Sequence, residues 1–142
     1  MQPYATDASL TVTGALPAAA GATYTSSIDT GNSAYADNAQ VMEWEIDAPA
    51  LTVTQLPNAA TVSYAVVMSA SSNLSSPVLI YDNVLVQTGA GGAGAAASTV
   101  RFRLPFQPGG LNAGLRYLGI RATTANTPGN CSAASVTLLP RF

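Results

Sequence analysis

A chain of 142 residues, 48% hydrophobic but only 8% charged and with a net charge of −2, has the size of one domain that can bury about two thirds of its unfolded surface. The hydrophobic content argues against disorder, Thr, Ser, Gly and Asn interrupt every apolar run before the roughly 20 residues of a membrane helix, and five scattered arginines are too few for a nucleic-acid footprint. The absence of histidine and lysine excludes Ser-His-Asp and Cys-His catalysis, the common zinc ligand sets, Schiff bases and phosphate-loop lysines.

Apolar residues recur mostly with period two, the mark of half-buried strands, so few helices are expected. After a short N-terminal leader without a secretory pattern, strands are predicted at residues 9–13 and 23–29. Over residues 41–47, Met42, Trp44 and Ile46 alternate with Glu43, Glu45 and Asp47, which predicts one core face and one acidic, solvated face. Residues 61–69 carry Val62, Tyr64, Val66 and Met68 on one side and Ser63, Ala65 and Val67 on the other; a strand so apolar on both sides belongs at the centre of a sheet. Residues 78–81 and 84–88 read as two strands around an Asp82-Asn83 turn. At 100–104, Val100, Phe102 and Leu104 alternate with Arg101 and Arg103, giving a basic outer face. Strands at 115–123 and 133–139 complete a set of eight or nine. Turn clusters fall at 29–32, 56–58, 82–83, 105–110 and 127–130. Many short strands so punctuated predict one all-β domain spanning residues 1–142, a sandwich or a barrel.

Residues 89–97, GAGGAGAAA, offer no side chain for a core or for chemistry and read as a mobile loop, either a long hairpin connection or an arm that orders on a neighbouring subunit. Cys131 is the only cysteine, so no disulfide forms within the chain. Carboxylate pairs are the chemistry left. Glu43 and Glu45 stand about 7 Å apart along one strand face, near the separation of paired glycosidase carboxylates. Any strand with alternating glutamates on its wet face has that spacing, so the expectation is a salt-bridged or solvated row and no catalysis. Asp82 with Asn83, or Asp37 with Asn38, supplies too few oxygens for calcium. No metal or cofactor is expected. Arg101 and Arg103 can pair with Glu43, Glu45 and Asp47 as an internal ladder, or meet them across a subunit contact; the sequence leaves both open. Trp44 reads as a core aromatic.

The leader and first strand (residues 7–13), the stretch Thr25-Ser26-Ser27-Ile28-Asp29-Thr30-Gly31, the acidic strand through Glu43, Glu45 and Asp47, and the later pair Val100-Arg101-Phe102-Arg103-Leu104-Pro105 and Arg116-Tyr117-Leu118-Gly119-Ile120-Arg121-Ala122-Thr123 together resemble the small jelly-roll cement, or decoration, proteins that coat the heads of tailed bacteriophages. The resemblance spans most of the chain; the Gly/Ala segment at 89–97 departs from it. It implies a jelly-roll-like antiparallel β-sandwich of about eight strands, made in the bacterial cytoplasm and seated on the outer capsid surface. Such a protein bridges major capsid subunits non-covalently and self-associates as a dimer or trimer. It has no active site and no nucleic-acid or membrane partner. Arg101, Arg103, Glu43 and Glu45 are then candidate subunit contacts. A weakly charged surface suits a protein covered by partners. The alternative from another class is a carbohydrate-binding sandwich module of a tail fibre or adhesin, with Tyr4, Tyr24 or Tyr35 as stacking residues.

Overall fold

The computed structural model describes residues 10–30, 43–104 and 114–141. Nine strands carry these residues: β1 (Val12–Ala15), β2 (Gly21–Tyr24), β3 (Ile28–Asp29), β4 (Glu43–Ala48), β5 (Thr61–Ser69), β6 (Val78–Thr88), β7 (Ser98–Arg103), β8 (Tyr117–Ala125) and β9 (Ser135–Arg141). No α-helix occurs among the described residues. The strands form two antiparallel sheets, one ordered β1-β9-β4-β7 and the other β2-β8-β5-β6, with β3 also on β8. The pairs β1·β9, β2·β8, β4·β7 and β5·β6 are nested, so the chain is one antiparallel ribbon, closed at the β5–β6 end and rolled into two facing sheets. That is the eight-stranded jelly-roll sandwich, with β3 as a short addition.

Alternation decides which side chains meet between the sheets. Trp44 and Ile46 of β4, Val62, Tyr64 and Val66 of β5, Leu118 and Ile120 of β8, and Leu138 of β9 are all fully buried in one core cluster. Strand β5 has the predicted limits and the predicted central place, bonded to β6 on one side and β8 on the other. Its Ala65 and Val67, on the outward face, are buried as well. A buried polar cluster that ties β5 and β6 to the adjoining loops is saturated: the Tyr64 hydroxyl donates to Gln87 Oε1 at 2.7 Å, and Gln87 Nε2 donates to the carbonyls of Pro49 and Ala96, both at 2.8 Å. Both flanks of the sandwich are laced. On one, Ser26 N donates to Thr13 O at 3.1 Å; on the other, the Tyr81 hydroxyl donates to Arg103 O at 2.8 Å and its ring meets Phe102 edge-on.

Three expectations are corrected. The strand expected at 23–29 is two, because at Thr25 the side-chain Oγ1 accepts from Ile120 N while Ser26 crosses to β1. The Asp82-Asn83 turn is no turn: β6 runs through it as one strand with register shifts against β5, Tyr64 facing Leu85 and Val66 facing Tyr81, and Asn83 takes φ 47°. An Asn tolerates that left-handed conformation, so the same residues that signal a hairpin also serve a bulge. Residues 89–97 are neither a hairpin connection nor loosely held. They carry the chain from one sheet to the other, Ala90 and Gly94 bond each other's backbones, and Ala95 pairs with Leu51. Their small size is used: a Cβ on Gly89 would lie 2.0 Å from Pro57 O, and one on Gly94 2.0 Å from Leu51 O. The leader, the second half of the turn at 29–32, Val41, Met42 and the turn at 105–110 lie outside the described residues.

Candidate functional site

The charged row predicted from sequence is real, and it lies on the outer face of the β1-β9-β4-β7 sheet. Strand pairing sets Glu43 opposite Arg103 and Glu45 opposite Arg101, while on the other side of β4 Glu43 faces Arg141 and Glu45 faces Leu139. The internal ladder therefore forms, but not as a solvated face. Glu45 is only 3% exposed. Arg101 Nε donates to Glu45 Oε2 at 2.7 Å, and Arg141 Nη2 donates to Glu45 Oε1. Arg101 also approaches Glu43 at 3.7 Å, and both of these side chains stay partly exposed. Arg103 stands on the exposed side of β7, and no ion pair to its guanidinium occurs among the described residues.

The hydrogen bond from Arg141, with further help from Arg101, holds the Glu45 carboxyl below the usual carboxylate range even though burial acts the other way. Asp47, two residues along, is pushed up by burial and by the negative charge of Glu45; its Oδ1 is buried without a hydrogen-bond partner among the described residues. A pair with diverging pKa values invites an acid–base reading. The geometry opposes it, because both Glu45 oxygens are occupied by guanidinium groups. No group of three or more Cys, Asp or Glu among the described residues is placed to hold a metal ion. Arg141 was not legible as a partner of Glu45: Pro140 ends the sequence pattern of the last strand at 139. The strand continues because β1 pairs only as far as Leu138, so at Pro140 the ladder needs bonds on one side alone.

The remaining candidates resolve one by one. Trp44 is 0% exposed and is a core residue. Cys131 is buried, its thiol pushed up by burial and directed at Gln55 O at 3.2 Å. Asp82 and Asn83 form the β6 bulge. Tyr4, Tyr35, Asp37 and Asn38 lie outside the described residues. A shallow depression of about 510 Å³ is lined by Leu51, Thr52, Ala90, Ala93 and their neighbours, and holds no ionisable side chain.

The outer face of the β2-β8-β5-β6 sheet was not singled out in the sequence. Register and alternation arrange it in cross-strand rows. Tyr24, Arg121 and Ala65 share one row, closed at the β6 bulge by Asp82. The Arg121 guanidinium reaches Asp82 at 3.7 Å, an ion pair too long for a hydrogen bond, and Arg121 Nε is buried without a partner among the described residues. Gly119, Val67 and Leu79 form the next row on one side; Ala22, Thr123, Ser63 and Val86 form the row on the other. Tyr24, Leu79 and Val86 are 41%, 39% and 48% exposed. At the far end Arg116 clasps Asp29 with two bonds of 2.5 and 2.6 Å and lies over the Tyr117 ring. Among the described residues no helix is long and apolar enough to cross a membrane. No protein-family model matches the chain, and no curated protein matches it in sequence.

Proposed function

We propose that the chain is a capsid cement, or decoration, protein that binds the outer surface of a tailed-phage head and stabilises contacts between major capsid subunits without covalent chemistry. The observation that carries this reading is the outer face of the β2-β8-β5-β6 sheet, where Tyr24, Leu79 and Val86 stand in water around one ion pair. Apolar residues and arginine grouped on one sheet face suit a surface that a partner covers. Two further facts support it. The jelly-roll order agrees with what the sequence resemblance implies, and the carboxylate best placed for a hydrolase, Glu45, is tied up by Arg101 and Arg141.

The test is to titrate purified protein onto heads that lack it, following occupancy and disruption temperature at low and high salt. A ligand that prefers the intact state stabilises by mass action, about 2.7 kcal/mol per site at a hundredfold excess over its dissociation constant. The disruption temperature is expected to rise. Because Glu45 is engaged inside the chain by Arg101 and Arg141, occupancy is expected to persist at high salt. Absence from every site on the particle, or occupancy with an unchanged disruption temperature, rejects the reading. Loss of glycan binding on Tyr24→Ala would favour a carbohydrate-binding module instead.

A further inference from the structure

We propose that the outer face of the β2-β8-β5-β6 sheet is a two-fold interface between two copies of this chain, with Arg121 of each copy bonded to the partner's Asp82. The proposal rests on the assembly reading above and makes this face the contact between copies within the assembly, not the contact with capsid subunits. It starts from charge. Among the described residues, the central rows of the face carry one cation and one anion, Arg121 on β8 and Asp82 on β6, on either side of Ala65 on the intervening β5. A two-fold axis running along β5 over Ala65 lays the partner's β6 across β8 and the partner's β8 across β6. Each Arg121 then faces the partner's Asp82, and the face is complementary to itself.

Within one chain this ion pair is unfinished. At 3.7 Å it makes no hydrogen bond, and both side chains are partly exposed, Arg121 by 32% and Asp82 by 54%. A second carboxylate arriving from above meets the solvent-facing end of the guanidinium, while Nε, which is buried, stays out of its reach. The same axis sets Leu79 of one copy over the row of Gly119 in the other, where Leu74 is folded down and buried, so an exposed apolar side chain meets an apolar floor. Val86 meets the row of Thr123, and Tyr24 reaches past the partner's edge strand.

The size is that of a weak pair. The three strands that overlap, β8, β5 and β6, spaced about 4.8 Å apart and about nine residues long, give a footprint of roughly 430 Å² per copy, or about 860 Å² for the pair before side-chain relief is added. That is below the size of a stable interface, so the two charge pairs must carry specificity.

Sedimentation velocity on the full chain and on Arg121→Glu and Asp82→Arg tests this, with circular dichroism confirming the fold of each. The wild type is expected to dimerise, and each variant to be monomeric, its dimer dissociation constant raised about a hundredfold by like charges. An equimolar mixture of the two variants should dimerise again, since one copy then carries two carboxylates at these positions and the other two guanidinium groups, so that opposite charges meet at both contacts. Exchange within one chain cannot give that rescue. Val86→Glu, which leaves the ion pair alone, should also dissociate the dimer. A monomeric wild type, dimers that survive either charge reversal, or a mixture that stays monomeric overturns the proposal. A monomeric chain that still coats heads would sink the pairing and leave the cement reading standing; a dimer that ignores heads would do the reverse.

Discussion

Glu45 shows how much the neighbours of one carboxylate decide. Its burial would be expensive alone, and two arginines offset that expense by supplying a donor to each oxygen. Glu45→Gln keeps the shape and removes the charge. Because Arg101 and Arg141 can both turn to water, the expected loss is about 1–3 kcal/mol, read from urea unfolding at neutral pH. The pH dependence has a definite sign. A carboxyl held low in the folded chain contributes stability above its unfolded value, about 4.3 for Glu, and loses it as pH falls through the lower folded value. Asp47 acts oppositely. Its raised folded pKa makes the charged form a burden above that pKa, and the burden lifts as pH falls through it. Asp47→Asn is therefore expected to be at least as stable as wild type at neutral pH, whereas Glu45→Gln flattens the decline at acid pH. A steeper acid decline in Glu45→Gln than in wild type would contradict the assignment. Trp44→Ala, which empties the largest fully buried side chain, is expected to lower stability by about 3–5 kcal/mol. The alternation that placed Trp44 inward was plain in the sequence, but the burial of Glu45 was not, since alternation names a face without saying what lies over it.

Among the elements, β5 was readable to the residue because both its faces are apolar and both its neighbours are paired. The connection at 89–97 was misread because its meaning lies in close approach of backbones, which composition does not encode. Two of its glycines can be told apart. Gly89→Ala drives a methyl into Pro57 O and is expected to lower stability by about 1–3 kcal/mol, measured by denaturant midpoint. Gly91→Ala, whose new methyl would meet only Asn58, with Oδ1 at 3.5 Å, is expected to be nearly neutral. Equal losses at the two positions would show that the chain there is held by something other than packing. The break between the second and third strands escaped the sequence for a related reason: Thr25 satisfies Ile120 N with its side chain, so the ladder passes on while the strand breaks.

For the whole molecule, the nested pairing of first strand with last means that the fold closes only when distant segments meet. Such topology favours slow folding. In native-state hydrogen exchange, amides of β5 and β8 in one sheet and of β4 and β9 in the other are expected to be the most protected, with the edge strands β1, β2, β6 and β7 opening first. Fastest exchange in β5 would refute the strand order. The class of fold was legible from period and punctuation; the division of strands between sheets was not, because pairing partners lie as far apart as Val12 and Leu138.

The bulge in β6 has a consequence for how the protein behaves when crowded. This edge strand spans eleven residues, long and apolar enough to template a stranger's backbone. The insertion at Asp82 and Asn83 breaks it into two short stretches that no straight strand can follow, and it leaves a carboxylate at the break. Copies held close together on any surface are thereby kept from zipping edge to edge. Deleting Asp82 and Asn83 together, which removes the larger of the two register shifts in β6, is expected to leave a folded chain that gathers into thioflavin-binding fibres at concentrations where the parent stays clear.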